Sequence, residues 1–294
     1  LKPVEQQAQM EGIIIPESQW AYPEEKSFKK NLRSIHRSHG KYKKDAEILQ
    51  EYILNEMTPE KIYDKMVNEI LSTLSPADLV YIGQYRDSSG CGVAARKYIK
   101  SLHEYTSKAG VDLNFKLYAP VAEKTNFHNS ISDLIEKYEF KSDKEINQFM
   151  EQDYTVVWHI PSIMAMTSDF RFGTPPNCSP SLRKLIINSK VNIPLVVWET
   201  DILPKEWVNL YDYHRPSKII VPSDWSKKVV EKCVPDIPCD VVRHVIEDTL
   251  SDNCEPVALP IQVEDKFVIL AMSQWNNRKG FDKLIEAFTM EFSH

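Results

Sequence analysis

The sequence predicts an α/β protein built on a doubly wound parallel sheet, because segments with strand and helix patterns alternate from residue 77 onwards. The strand segments are short and apolar, as in Tyr154–His159, which is typical of strands covered on both faces. Glycine, histidine and acidic residues cluster directly after these strands, at the sheet edge where such proteins bind ligands. We expect an N-terminal arm with a helical extension over 1–76, the α/β domain over 77–262, and the beginning of a second, incomplete domain over 263–294.

The composition argues against several classes of protein. A net charge of −6 over 294 residues, without a large basic surplus, argues against a nucleic-acid partner. The five cysteines are odd in number and form no C-x-x-C pair, so we predict neither a metal site nor a disulfide framework, and a reducing, cytoplasmic setting. No apolar run reaches the length of a transmembrane segment, and the first residues carry no signal-peptide core.

The N-terminal part carries a basic run and two predicted helices. We interpret the run Lys29–Lys44 as a solvated, partly mobile arm, while a phosphate-binding or membrane-surface patch, and hence peripheral membrane contact, stays open. Residues 46–74 predict two helices, with Thr58 as the N-cap of the second and Pro59 at its first position. That second helix carries an apolar stripe predicted to pack on the main domain, formed by Ile62, Met66, Ile70 and Leu74.

The first predicted strand of the α/β domain, Asp78–Gly83, leads into a loop with two glycines. Gly90 and Gly92, on either side of Cys91, stand where the chain enters a helix, so a ligand can approach the backbone and a phosphate or carboxylate is favoured at the helix N-terminus. The alternative interpretation is a tight strand–helix turn. Ala95 replaces the third glycine of a dinucleotide-binding fingerprint, and no acidic residue closes the next strand, which argues against a nicotinamide cofactor.

Two further strands end in candidate site residues. The strand Tyr154–His159 places His159 at its carboxyl end, where open α/β sheets bind ligands; alternatively, the histidine is hydrogen-bonded within the cleft wall. Pro194–Trp198 predicts another buried strand, and acidic and hydroxylic residues follow it. These residues either bind substrate hydroxyls or cap the following turn: Glu199, Thr200 and Asp201.

Local signals place several remaining elements. Ser142 forms a capping box with Glu145 at a helix start. Ser223 is the predicted N-cap of a helix that follows the strand Ser217–Val221. Asp240–Val245 predicts one more strand before the C-terminal segment.

The C-terminal segment Lys266–Phe288 predicts a strand, a polar loop and a helix. Lys266–Met272 has the length and residue types of a buried parallel strand, and apolar residues recur at helical spacing from Phe281 onwards. Between the two, Arg278 and Lys279 lie at a helix N-terminus, an arrangement that favours a bound anion. An ordinary strand–helix connection with a solvated basic pair is the alternative.

This segment resembles the opening of the donor domain of GT-B glycosyltransferases, the retaining nucleotide-sugar enzymes of the family 4 or group 1 type. In that family a strand leads into a loop of the form G-R-L-x-x-x-K-G and then into a helix similar to LIEAF. The resemblance matches the family's lysine, which contacts the donor diphosphate, to Lys279, and its arginine to Gln274, with Arg278 as a candidate substitute. A strand followed by Pro-Ser and a helix, here around Ser223, is similar to a late feature of the family's acceptor domain.

The resemblance implies a glycosyltransferase that moves a sugar from a nucleotide-sugar donor to a glycan or other hydroxyl acceptor, retaining, and without a metal or cofactor. Two Rossmann-like domains would enclose the donor, and His159 would lie beside the transferred sugar. The family's donor-site glutamates lie further along, so a chain ending at His294 would transfer sugar inefficiently. A nucleotide-sugar epimerase of the same fold and a non-catalytic glycan-binding module stay open as alternatives, and a nicotinamide-dependent oxidoreductase is disfavoured.

Overall fold

The computed structural model describes residues 1–9, 14–71, 78–109, 113–120, 131–160, 180–244 and 267–292. The chain divides into two compact units. The terminal unit comprises Leu1–Pro3, Gln19–Glu56 and Ile246–His294, and the sheet unit comprises Val4–Ser18 and Met57–Val245. The three-part division expected from the sequence stays a prediction.

Strands and α-helices alternate from β3 to α9, as the sequence pattern predicts for the α/β domain. The strands are β1 (Lys2–Pro3), β2 (Gln19–Trp20), β3 (Asp78–Gly83), β4 (Asn114–Tyr118), β5 (Thr155–His159), β6 (Val191–Pro194), β7 (Ile219–Val221) and β8 (Cys239–Val241). The α-helices are α1 (Glu25–Arg37), α2 (His39–Glu56), α3 (Pro59–Leu71), α4 (Gly90–Ala109), α5 (Ser132–Tyr138), α6 (Asp143–Phe149), α7 (Pro180–Ile187), α8 (Lys205–His214), α9 (Asp224–Cys233) and α10 (Phe281–Phe292).

Four parallel strands form the centre of the sheet unit, in the order β4-β3-β5-β6. A parallel bridge between Leu195 and Ile220 connects the end of β6 to β7, which pairs in parallel with β8. The predicted α/β class with a parallel sheet is therefore confirmed, and the strand order is compatible with a Rossmann-like fold.

Apolar cores cover both faces of this sheet, as the nearly continuous apolar strands predict. Neighbouring residues of β3 alternate between the cores: Val80 and Ile82 belong to one, and Leu79 and Tyr81 to the other. Helices α6, α7, α8 and α9 contribute to the first core, and α3, α4 and α5 to the second. The predicted stripe of α3 is confirmed at three of its four positions, and the fourth lies outside the described residues: Ile62, Met66 and Ile70 are buried.

The predicted helix caps are confirmed by their hydrogen bonds. The Oγ atoms of Ser142 and Ser223 accept the backbone N–H groups of Glu145 and Ser226, at 3.3 and 3.1 Å. Thr58 Oγ1 accepts the N–H of Lys61 at 3.3 Å, at the start of α3. These bonds satisfy donors that the first turn of a helix leaves unpaired.

Two strands of the sheet unit differ clearly from their predictions. The strand predicted over Asp240–Val245 is β8, which begins at Cys239 and ends at Val241. The predicted strand Pro194–Trp198 begins earlier, at Val191, and its ladder ends at Pro194. The sequence pattern does not predict this earlier start, because asparagine is rarely found in strands. In the structure, Oδ1 of Asn192 accepts a hydrogen bond from the indole N–H of Trp158, at 2.6 Å.

In the terminal unit, helix α10 is confirmed, but the strand predicted before it is wrong over residues 267–272. These residues form no ladder, and the side chains of Leu270 and Met272 are more than four-fifths exposed. An apolar run needs a neighbouring strand to become a strand itself, and the strands described in this unit are the two-residue pair β1 and β2. The basic run interpreted as a mobile arm is instead largely helical, in α1 and α2. No helix in the described ranges has the length and apolar character to cross a bilayer.

Candidate functional site

The candidate site lies at the carboxyl edge of the sheet, where the chain direction through the sheet switches. After β3 the chain moves outwards to β4, then returns past β3 to form β5 on its other side. The last residues of these two neighbouring strands, Gly83 and His159, are register partners. A crevice at such a switch point is where open parallel sheets bind their ligands.

A cavity of about 180 Å³ opens at this edge. Four residues predicted from the sequence line it, although they follow three different strands: Cys91, His159, Glu199 and Thr200. Much of the remaining lining is apolar, including Ile160, Leu195, Val197, Trp198 and Trp207. Gln84, the first residue after β3, adds an amide. An apolar cavity with a few convergent polar groups is the usual form of a small-molecule site.

His159 is a deeply buried polar residue of the cavity lining, with 4% of its surface exposed. Its Nδ1 lies 2.9 Å from the hydroxyl of Tyr81, on the neighbouring strand. In the part of the chain that the structure describes, Nε2 of the same ring is buried and has no hydrogen-bond partner. An unpaired buried polar atom is costly, so its presence in a cavity wall favours a role in ligand binding.

Burial determines the charge of the imidazole, and the hydrogen bond to Tyr81 bears on which nitrogen carries the proton. Burial, together with the nearby His244, lowers the pKa of His159 to about 3, so the ring is neutral at physiological pH. Burial also raises the pKa of Tyr81, whose hydroxyl keeps its proton. The 2.9 Å contact allows either Tyr81 or Nδ1 to be the donor. We assign the Tyr81 O–H as the donor to Nδ1, which places the imidazole proton on Nε2. His159 therefore presents an N–H donor as its unpaired atom.

Two further residues surround His159, and neither was predicted from the sequence. The Tyr98 ring lies 5.7 Å from the His159 ring, and its hydroxyl lies 3.0 Å from Nδ1 of His244. Burial, together with the charge of Lys97, lowers the pKa of His244 as well. Both histidines are thus kept neutral by a buried tyrosine-lined environment.

The turn between β3 and α4 is stabilised by hydrogen bonds from a side chain of α4 to backbone carbonyl groups of the turn. The Arg96 guanidinium donates to the carbonyl oxygens of Tyr85 and Asp87, at 3.0 and 2.6 Å. A Cβ atom on Gly92 would lie 2.0 Å from the Asp87 oxygen, whereas a Cβ on Gly90 would meet nothing within 4 Å. Packing within the turn therefore explains Gly92, and the predicted approach of a ligand remains untested at both glycines.

The Cys91 thiol lines the cavity at the first turn of α4. Burial and the carboxylates of Asp87 and Glu199 raise its pKa. The thiol therefore stays protonated near neutral pH, which makes it a poor nucleophile.

The three residues after the Trp198 segment take different positions. Thr200 is buried, and its hydroxyl donates to the carbonyl oxygen of Ile202 at 3.1 Å, as the turn-capping interpretation expects. The indole N–H of Trp198 donates to the same oxygen at 3.0 Å. Glu199 is exposed and lines the cavity, whereas Asp201 is not among the described lining residues.

The predicted donor-binding residues of the C-terminal segment belong to the terminal unit. Asn276 organises their loop: its Oδ1 accepts the backbone N–H of Lys279 at 3.1 Å, and its Nδ2 donates to Gln274 at 3.4 Å. Lys279 is exposed, and the side chain of Arg278 lies outside the described residues. Gly280 has a φ of 67°, and a Cβ there would lie 2.3 Å from Pro23, so only glycine fits.

Comparisons with protein-family models, with curated proteins and with solved structures found no match to this chain.

Proposed function

We propose that the protein is a glycosyltransferase that moves a sugar from a nucleotide-sugar donor to a hydroxyl acceptor, and that the cavity at the switch point receives the reacting sugar. The observation that supports this most is that the carboxyl ends of β3, β5 and β6 and the residues that follow them bring Cys91, His159, Glu199 and Thr200 around one cavity. Each of these residues is also a ligand-binding candidate from the sequence pattern alone.

In this proposal His159 acts as a hydrogen-bond donor. Its Nε2–H would bind a sugar hydroxyl or ring-substituent oxygen, because the neutral ring already uses Nδ1 as an acceptor for Tyr81. The ring would not exchange a proton during turnover, since its pKa is far below neutral pH. A donor held rigidly by a buried tyrosine orients the sugar at little entropic cost.

The remaining roles follow from charge and from the backbone N–H groups of a helix N-terminus. The carboxylate of Glu199 would accept a hydrogen bond from a hydroxyl of the acceptor. The amides in the first turn of α4, at Gly90 and Cys91, would favour negative charge on a diphosphate leaving group without a metal ion. Ser89 already satisfies the next amide, that of Gly92, through its Oγ at 3.3 Å.

The experiment is a binding and turnover panel of nucleoside diphosphates and nucleotide sugars, measured by calorimetry and saturation-transfer NMR. His159→Phe keeps an aromatic ring but removes the Nε2 donor, and we expect it to weaken sugar-nucleotide binding at least tenfold. His103→Phe is the matched control, because Nδ1 of His103 also lies 2.9 Å from a tyrosine hydroxyl, that of Tyr138, and the described cavity lining does not include it.

The outcomes separate the candidate functions. Release of nucleotide that depends on an added acceptor supports a transferase, and conversion of a free nucleotide sugar without acceptor indicates an epimerase. Binding of oligosaccharide without any nucleotide indicates a glycan-binding module, a second candidate favoured by the indole rings of Trp198 and Trp207 at the cavity. Equal effects of the two histidine substitutions would overturn the role of His159.

Lys279 is tested separately, because the resemblance alone assigns it to the donor diphosphate. Lys279→Ala should weaken binding of a nucleoside diphosphate by about 1–3 kcal/mol if the ammonium makes a charge-assisted contact. Lys283→Ala removes a nearby exposed cation that is already paired with Glu286, at 3.2 Å, and serves as the control. Unchanged binding by Lys279→Ala would remove this lysine from the site.

A further inference from the structure

Helix α1 carries five cations on one side. Lys26, Lys29, Lys30, Arg33 and Arg37 follow the three- and four-residue spacing that places side chains on the same face of a helix. All five line one shallow depression of the surface, together with two serines. We call these five residues the basic face. At 1.5 Å per residue, it extends for roughly 16 Å along the helix.

In the described part of the chain, carboxylates pair with some of the cations of the basic face but not with all of them. Lys29 pairs with Glu25 at 2.5 Å, and Arg33 pairs with Glu291 of α10. Within the described ranges, no carboxylate pairs with the exposed side chains of the other three cations, Lys26, Lys30 and Arg37. The chain has no aspartate or glutamate from residue 26 to residue 44, although its net charge is −6. The basic face is thus a positive surface on an acidic protein, which indicates an anionic partner.

Exposed apolar side chains border the basic face. The sulfur of Met290 lies 3.3 Å from Nζ of Lys29, and 56% of the Met290 surface is exposed. The Phe267 ring, 38% exposed, lies 5.5 Å from the His36 ring, next to the last cation of the helix. On α10, Ile285 and Phe288 are exposed as well.

We propose that the basic face binds anionic lipid headgroups at a membrane surface, with Met290 and Phe267 entering the boundary between headgroups and acyl chains. Cations beside exposed apolar residues are the combination that interfacial helices present to anionic bilayers. A nucleic acid would bind the cations, but it has no apolar layer to receive the side chains of Met290 and Phe267. These exposed apolar residues therefore favour a membrane as the partner. This inference is independent of the proposed glycosyltransfer.

The test is vesicle flotation of the full chain with phosphatidylcholine vesicles that contain or lack about 30% phosphatidylserine. We expect binding only to the anionic vesicles, and weaker binding as salt is raised, because salt screens exposed charges. The triple variant Lys26→Gln, Lys30→Gln, Arg37→Gln should bind roughly 100-fold more weakly, since each cation near an anionic surface contributes about a factor of five.

A matched control removes the same charge elsewhere. Lys144→Gln, Lys184→Gln and Lys228→Gln together take three positive charges from exposed helical positions of the sheet unit, and this variant should bind vesicles like the wild type. Met290→Gln should reduce vesicle binding several-fold while leaving any binding to a 20-nucleotide DNA unchanged. Circular dichroism melting checks that each variant folds.

Three results would overturn the proposal. These are equal binding by the triple variant and its control, equal binding to neutral and anionic vesicles, and no vesicle binding by the wild type. Salt-sensitive DNA binding without vesicle binding would assign the basic face to nucleic acid instead.

Discussion

The hydroxyl of Tyr81 and Nδ1 of His159 form a 2.9 Å hydrogen bond between two neighbouring parallel strands. Both residues are buried, and the bond uses the only acceptor nitrogen of a neutral imidazole. It therefore links the packing of the sheet to the chemistry of the cavity, because it orients the ring and determines which nitrogen keeps the proton.

Tyr81→Phe should destabilise the fold and disturb the tautomer of His159. Loss of the hydroxyl leaves a buried Nδ1 without a partner, which costs about 1–3 kcal/mol of unfolding free energy. Urea denaturation measures that loss, and ¹⁵N NMR of the imidazole should show protonated Nε2 in the wild type and a mixture in the variant. Tyr138→Phe breaks a bond of equal length between half-buried residues and should cost less. An unprotonated Nε2 in the wild type would contradict the assigned tautomer.

The lowered pKa of His159 predicts acid sensitivity with a definite sign. Between the ordinary histidine pKa near 6.5 and about 3, the unfolded chain binds a proton at this residue that the folded protein does not. The unfolding free energy should therefore fall as pH falls through this window, by up to about 1.4 kcal/mol per pH unit. Above pH 6.5 neither state binds the proton, so this contribution is constant.

His159→Gln isolates that contribution. His214, whose pKa is also lowered by burial, remains in both proteins and cancels in the difference. The stability advantage of the wild type over the variant should shrink by about 2 kcal/mol between pH 7 and pH 5, measured by urea denaturation at each pH. A difference that is constant with pH would mean that His159 titrates normally in the folded state.

The sequence predicts the N-caps and several strands of the sheet unit, because caps and apolar strand patterns are signals carried by neighbouring residues. Asp78–Gly83 and the N-caps Ser142 and Ser223 lie where local patterns placed them. His159 was found because the end of a buried strand is itself a local signal. Each predicted residue that lines the cavity therefore has its own local signal in the sequence.

What the sequence missed depends on contacts between distant residues. Tyr81 and His159 are 78 positions apart and Tyr98 and His244 are 146 apart, so no local pattern reports their pairing. A buried tyrosine also looks like an ordinary core residue in the sequence. The error at Lys266–Met272 has the related cause that strand formation requires a partner strand, which an apolar pattern cannot supply.

The two glycines in the first turn of α4, Gly90 and Gly92, should respond differently to alanine. Gly92→Ala forces a Cβ to within 2.0 Å of a backbone oxygen, so the loop must shift, at a cost of about 1–3 kcal/mol. Gly90→Ala meets open space and replaces the poorest ordinary helix residue, so stability should be unchanged or rise by up to about 1 kcal/mol. Thermal denaturation distinguishes the two.

Gly90→Ala also tests the predicted ligand approach. If a phosphate lies against the first turn of α4, the added methyl group should weaken nucleotide binding without any loss of stability. Nucleotide binding that is as strong in Gly90→Ala as in the wild type would show that this backbone does not contact the ligand.

Glu139 should hold residues 84–92, which follow β3, in place, although Glu139 is not among the described lining residues of the cavity. Its carboxylate accepts hydrogen bonds from the Tyr85 hydroxyl and from two nitrogens of Arg86, at 2.5 to 2.9 Å. Tyr85 and Arg86 directly follow Gln84, which lines the cavity. Glu139→Gln keeps the size but removes the charge, so these bonds should weaken by about 1–3 kcal/mol. Hydrogen exchange of residues 84–92 should accelerate.

The matched substitution is Asp153→Asn, which breaks a pair with Lys190 of similar length, 2.6 Å, between well exposed side chains. Such surface pairs contribute about 0–1 kcal/mol, so stability and loop exchange should barely change. Since Gln84 lines the cavity, Glu139→Gln should also weaken ligand binding although it touches no ligand. Unaltered exchange over 84–92 would mean that Arg96 and the turn itself hold the loop without Glu139.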